Sequence, residues 1–290
     1  MVRSNGLSNL LLSLGGVVLL CCSLVSVAST QTCVQPPAGL VGWWPGDGHA
    51  DDIQGENNGT LQGGVTFTPG EVDQAFNFDG STGYVQVPQN SLWEFGSQDF
   101  TVDFWINFRT PNTSETLDSP DVFDIIGVDE GEGLTNKWLM RFGGGVLTLH
   151  INDNGTGPGP LFLAQAPFSP NLHQWYFIAV TRSGNTFTTY IDGQAAATQT
   201  MAVTIPSINA PLTWGLVEAG RYLDGLMDEV EIYNRALSAA EIQAIFNAGS
   251  AGKCKETGPC TLHLAPSVTE GTLTLDFQLG TQAPRPGTSG

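Results

Sequence analysis

The chain has 290 residues, of which 41% are hydrophobic and only 13% charged, a globular composition that excludes a disordered polymer and allows an ample core. Its net charge is −18, from 28 acids against 10 bases, so no basic patch can be assembled and nucleic acids and anionic membrane surfaces are poor partners. The 36 Gly and 17 Pro suit a turn-rich all-β protein, and sandwiches of 200 to 250 residues are commonly single units.

Residues 1–28 read as a secretory signal peptide. Arg3 supplies a thin positive start, 10–27 an apolar run, and Ser26-Val27-Ala28 small residues for cleavage. The alternative is an uncleaved anchor, since the run approaches spanning length. Gly15, Gly16 and the cleavage-like end favour removal, so the expected protein is secreted, with no membrane insertion afterwards.

Strands follow at 39–44, 65–67, 75–78 and 84–87, split by Pro-Gly and Asp-Gly turns. The clearest strand is 100–109. Phe100, Val102, Phe104, Ile106 and Phe108 share one face, and Thr101, Asp103, Trp105, Asn107 and Arg109 the other. Further strands are expected at 122–128, 137–142, 146–151, 175–181, 186–191, 195–200 and 212–217, with hairpins at Gly143-Gly144-Gly145 and Arg182-Ser183-Gly184-Asn185. From 226 to 233 the chain alternates again, with Asp228 oddly in register with the apolar residues. Ser238 and Glu241 form a capping box for a short helix that Gly249 ends. The pattern predicts a two-sheet antiparallel sandwich with one C-terminal helix. Residues 255–290 read as a linker or an incomplete second β module, with two strands near 261–264 and 273–277.

Five stretches together carry a resemblance: DGLMDEVEIYNRALSAAEI, GLVGWWPGDGHADDIQGENNGTL, QAFNFDGSTGYVQVP, FTVDFWINF and HQWYFIAVTRSGNTFTTYIDG. They resemble LamG-like jelly-roll domains of the concanavalin A-like lectin/glucanase superfamily, over about 33–254. The resemblance implies an all-β jelly roll whose first and last strands are neighbours. Cys33 and Cys254 bracket that domain, so a Cys33–Cys254 bridge is expected, with Cys260 left over to compete for either partner.

The resemblance brings two function classes. One is a recognition or adhesion module for glycans or cell-surface proteins. The other is a glycoside hydrolase or lyase on the same fold, which would need paired carboxylates on one face. The nearest acids, Asp228, Glu229 and Glu231, lack the third acid of a glucanase strand and read as structural. A purely structural surface module is a third option. His49, His150, His173 and His263 show no zinc spacing. Relatives that hold calcium at loop tips make calcium an expected cofactor. Asp47, Asp51, Asp52, Glu56 and Asn57 crowd the preferred loop, Asp129, Glu130 and Glu132 a second, and Asp153 with Asn154 a third. Trp105, flanked by Asp103 and Asn107, is the expected sugar platform, against a packing role for the same ring. Asn58, Asn112 and Asn154 head glycosylation sequons.

Overall fold

A computed structural model describes residues 32–113, 115–117, 122–131, 135–152, 161–218 and 220–255, and the backbone of 262–269 and 272–279. The expected signal peptide, Cys260, Glu132, Asp153 and Asn154 lie outside the described residues. In chain order the strands are β1 (Leu40–Trp44), β2 (Thr60–Gln62), β3 (Thr66–Pro69), β4 (Gln74–Asp79), β5 (Tyr84–Val87), β6 (Phe100–Phe108), β7 (Phe123–Asp129) and β8 (Lys137–Gly143). They continue as β9 (Val146–Asn152), β10 (Leu161–Pro167), β11 (Trp175–Ser183), β12 (Thr186–Ile191), β13 (Gln194–Thr200), β14 (Leu212–Trp214) and β15 (Asp224–Tyr233). The helix α1 (Ala239–Ala248) follows, and β16 (Leu262–Thr269) and β17 (Thr272–Leu279) pair only with each other.

Two antiparallel sheets result. The first runs β13-β12-β11-β6-β15-β4-β3, with β1 also on β15; the second runs β10-β9-β8-β7-β14-β5-β2. This is the expected sandwich. Period two explains the core. Phe100, Val102, Phe104, Ile106 and Phe108 of β6 point inward to meet Trp138, Met140, Leu149 and Trp214 of the other sheet. Trp43 and Trp44 fall on opposite faces of β1. Trp44 joins the central core, 5.4 Å from the Trp214 ring. Trp43 joins a smaller outer cluster with Trp105, Phe177, Tyr190, Tyr233, Ile242 and Ile245, where α1 covers the first sheet.

The closing strand β15 is central. Along one edge it pairs with β6; along the other it meets β4 over 224–227 and β1 over 230–233. A bulge between Asp228 and Glu231 marks that change of partner, and Glu229 sits there at φ +51°. The extra residue breaks the expected alternation. Met227, Val230 and Ile232 enter the core, while Asp228, Glu231 and Tyr233 turn to the outer side. This takes Asp228 off the core face; it stays buried, with Oδ2 accepting from the Val72 amide at 2.9 Å and Oδ1 without a partner among the described residues, and burial, then the Glu229 charge, pushes it well above the usual carboxylate range. Gly70 is needed above it, because a Cβ there would lie 2.4 Å from Oδ2.

The chain ends are stapled. Cys33 and Cys254 are joined, with Cα atoms 5.0 Å apart, and Val34 pairs with Lys253 beside the bridge. Ser238 accepts the Glu241 amide, and the Glu241 carboxylate accepts the Ser238 amide, as the capping box requires. Two strands have no clear sequence signal. β2 has three residues, and β10 carries a bulge between Leu163 and Ala166, with Ala164 at φ +48°, that destroys its period.

Candidate functional site

Each sheet carries a cluster of charges on its outward face. On the first sheet, one cross-strand row reads Tyr190, Ala179, Asp103, Glu231 and Trp43 across β12, β11, β6, β15 and β1. The register thus sets two carboxylates side by side. Both are fully buried, and Glu229 joins them from the bulge. Lys253, beside the disulfide, places Nζ 2.6 Å from Glu231 Oε1 and 5.7 Å from the Trp43 ring. Tyr233 donates its hydroxyl to Glu231 at 2.5 Å, and Trp43 donates Nε1–H to Glu229 at 2.8 Å. Lys255 reaches Glu229 at 3.1 Å and Asp47 at 2.6 Å.

Three buried acids share two lysines here, and two of them, Asp103 and Glu231, are shifted upward. Burial, then the neighbouring Glu231 charge, pushes Asp103 well above the usual carboxylate range, with Lys253 only partly opposing. Neither Asp103 oxygen has a hydrogen-bond partner among the described residues. Burial also lifts Glu231 to about 7, against the pull of Lys253. Burial would lower Lys253, but Glu231 and Asp103 hold it above the normal lysine range.

The second sheet's outward face is balanced. Arg141 of β8 grips Asp124 of β7 bidentately, at 2.7 and 3.1 Å. Glu218, in the loop before β15, contacts Lys137, Arg141 and Arg221. Lys137 also lies 3.3 Å from Asp129. Burial would raise Glu218, yet Lys137, Arg141 and Arg221 together hold it below its ordinary value. The network pins the Glu218 loop to the sheet. Beside it, His150 stacks on Phe162 with centroids 4.6 Å apart. Burial, then the Arg141 charge, depresses His150 to about 3, so the ring is neutral at physiological pH. Its Nδ1 and the Asn152 Oδ1 have no partner.

The expected sites fall differently. Trp105, Asp103 and Asn107 are all buried; Trp105 is only 4% exposed and packs against Phe177 and against Phe246 of α1. The ring has the packing role, because the helix occupies the face a sugar would stack on. In the expected calcium loop, Asp52 accepts from the amides of Trp43, Gln54, Gly55 and Asn57 and from Asn57 Nδ2. A carboxylate offers about four lone-pair sites, so N–H groups fill Asp52. Asp47 is taken by Lys255 and the Gln74 amide, while Asp51 and Glu56 are exposed. As arranged, this set does not fit a calcium ion. In the second loop Asp129 turns to Lys137, and Glu130 accepts from the Asn209 amide. Among the described residues, no three His, Cys, Asp or Glu gather as metal ligands, and no helix is long and apolar enough to cross a membrane. Glu229 and Glu231 were visible in sequence as neighbouring acids, but their partners were not, since register brings Asp103 and loops and the chain end bring Glu218, Arg221, Lys253 and Lys255.

Two clefts open on the first sheet's side. One, about 410 Å³, is lined by Gln35, Pro36, Leu40, Trp43, Ile53 and Gln54 at the seam of the chain ends. The other, about 350 Å³, lies between the 235–241 segment and the hydroxyl-bearing ends of β11 and β12.

A family model described as the concanavalin A-like lectin/glucanases superfamily matches residues 79–243. No curated protein matches the chain. Among solved structures, the chain is similar to domain 4 of AbnA, a GH43 extracellular arabinanase from Geobacillus stearothermophilus, in complex with arabinotriose. The TM-score is 0.58 at 17% identity, over 70% of this chain and 96% of that one. It is also similar to the binding domain of Paraclostridial Mosquitocidal Protein 1, with TM-score 0.57, 21% identity and 72% and 52% coverage. The binding domain of Botulinum neurotoxin DC in complex with rat synaptotagmin II gives TM-score 0.56, 18% identity and 72% and 51% coverage. The match spans about half the length of those toxin domains, and at these identities the likeness is one of fold.

Proposed function

The chain belongs to the concanavalin A-like lectin/glucanases superfamily, and from that premise we propose that it is a secreted, non-catalytic recognition module for glycans or cell-surface partners. The observation that carries this reading is the placement of its carboxylates. Hydrolysis on this fold needs an acid and a nucleophile or base flanking an open substrate bond. Asp103, Glu229 and Glu231 are instead buried, Glu231 bound to Lys253 and Tyr233 and Glu229 to Lys255 and Trp43. The balanced network on the other sheet ties its acids to arginine and lysine, which suits holding a loop in place rather than moving protons.

Similar structures support recognition as the general role: one is in complex with arabinotriose and another with synaptotagmin II. The test is a glycan array probed with the chain after removal of residues 1–28, with a reducing-sugar assay in parallel. Retention of glycans without release of sugar ends is the expected result. Release of reducing ends would support the hydrolase, and a blank array would refute glycan recognition.

A further inference from the structure

The cleft beside the start of α1 has chemistry that the reading above does not use. Its floor is built by register. Thr188 and Thr181 stand in one cross-strand row of the first sheet, and Thr186 and Ser183 in the next. Neighbouring strands are about 4.8 Å apart, so the hydroxyls form a grid, in which Thr186 and Thr188 each share a hydroxyl–hydroxyl bond of 3.2 Å with Thr200 and Thr198 of β13 and keep further donor and acceptor capacity. Tyr190, one row further along β12, adds an aromatic ring to the lining.

The wall is the 235–241 segment, held down where Thr101 donates to the Arg235 carbonyl at 2.9 Å and accepts from the Leu237 amide at 2.9 Å. Arg235 and Glu241 form a bidentate pair on it, about one third exposed. Arg235 has five N–H groups. Four are engaged, by the Ala38 and Ala236 carbonyls and by the two Glu241 oxygens. Among the described residues, one N–H on Nη2 remains, next to Glu241 Oε1, which accepts there only from Arg235. A donor and an acceptor side by side match two adjacent hydroxyls of a sugar ring.

Charge narrows the class further. Of the ten Lys and Arg, eight lie among the described residues, and every one is engaged by a carboxylate or a backbone carbonyl. An anionic ligand would meet a chain of net charge −18 with no uncommitted cation among those residues.

We infer that this 350 Å³ cleft, formed by Thr181, Thr186, Thr188, Tyr190, Arg235 and Glu241, is a binding site for neutral oligosaccharides. The inference rests on the glycan reading above and assigns it a place and a ligand class. The experiment titrates cellohexaose, xylohexaose, mannohexaose and arabinohexaose, with oligogalacturonate as the anionic arm, into the wild-type chain and a Thr186→Val, Thr188→Val variant. Valine keeps the β-branched shape and removes the hydroxyls. At least one neutral oligomer is expected to bind, oligogalacturonate to bind at least tenfold more weakly, and the variant to lose tenfold or more with its melting temperature within about 2 °C of wild type. Undiminished binding by the folded variant, or preference for oligogalacturonate, overturns the site while leaving glycan recognition standing. A wild-type chain that binds no glycan on the wider array overturns both.

Discussion

The outward faces of the two sheets solve the same problem in opposite ways. Behind β7 and β8, Lys137, Arg141 and Arg221 face Asp124, Asp129 and Glu218, three charges against three. Behind β6 and β15, Lys253 and Lys255 face Asp103, Glu229 and Glu231, two against three, with Asp47 adding another acid at Lys255. In the balanced set three cations hold Glu218 below its ordinary value, although burial raises Asp124 and Asp129. In the acid-rich set burial outweighs the lysines at Asp103 and Glu231, because an uncompensated carboxylate is costly in a low dielectric. Perturbed carboxylates in this fold therefore need not mark catalysis. They also arise where register packs more acids than cations under a helix.

The comparison can be broken from the covalent side first. Replacing Cys33 and Cys254 by serine opens a loop of sequence separation 221, a loss of about 5 kcal/mol in a chain-entropy estimate. The melting temperature is expected to fall by roughly 10–20 °C. Because Lys253 is the neighbour of Cys254, hydrogen exchange should rise at Trp43 Nε1–H and stay unchanged around β8. Equal loosening of both clusters would contradict this.

Next in size is Arg141→Ala. It strips the bidentate partner from buried Asp124 and is expected to cost about 3–4 kcal/mol in urea unfolding. The double change Arg141→Leu, Asp124→Leu removes both charges and should recover most of that loss. A double variant as unstable as the single one would show that packing, not charge balance, matters there.

The acid-rich cluster makes stability depend on pH. Glu231 is raised from 4.5 to about 7 and Asp103 is raised too, so the folded chain binds protons that the unfolded chain releases. The stability this confers is full below about pH 4.5 and is lost as pH rises through about 7, a fall of about 3 kcal/mol for Glu231. Glu241 acts in the other direction. The Arg235 hydrogen bonds hold it at about 2, so its contribution fades as pH drops below 4.5. Urea unfolding between pH 4 and 8 should therefore show its highest stability at about pH 4 to 4.5 and a decline toward pH 8. The smallest effect concerns the Asp52 loop. Millimolar calcium or a chelator should move the melting temperature by less than about 1 °C, since amides already fill that carboxylate. A shift of several degrees would mean an ion displaces them.

Much of the fold was legible because period two is a local signal. The inward row of β6 and the capping box at Ser238 and Glu241 follow from residue order, and the neighbouring chain ends from the resemblance to a jelly roll. The acid at 228 could be read as a bulge residue bound to an amide, and it is one. What stayed hidden depends on register. β10 loses its period at a bulge, and Trp105 has the same outward phase as Thr101 although only the latter's end of the sheet borders an open cleft. No spacing along the chain announces that Asp103 faces Glu231, or that Thr186 and Thr188 join Thr181 and Ser183 in one grid.

The most direct measurement is the carbon NMR of the Asp103 and Glu231 carboxyl groups from pH 4 to 9, assigned with Asp103→Asn and Glu231→Gln. The account predicts that Asp103 titrates well above the ordinary carboxylate range and that Glu231 titrates with a midpoint near 7. Midpoints below 5 for both groups would mean that two lysines suffice to ionise the cluster, and the contrast between the two faces would be lost.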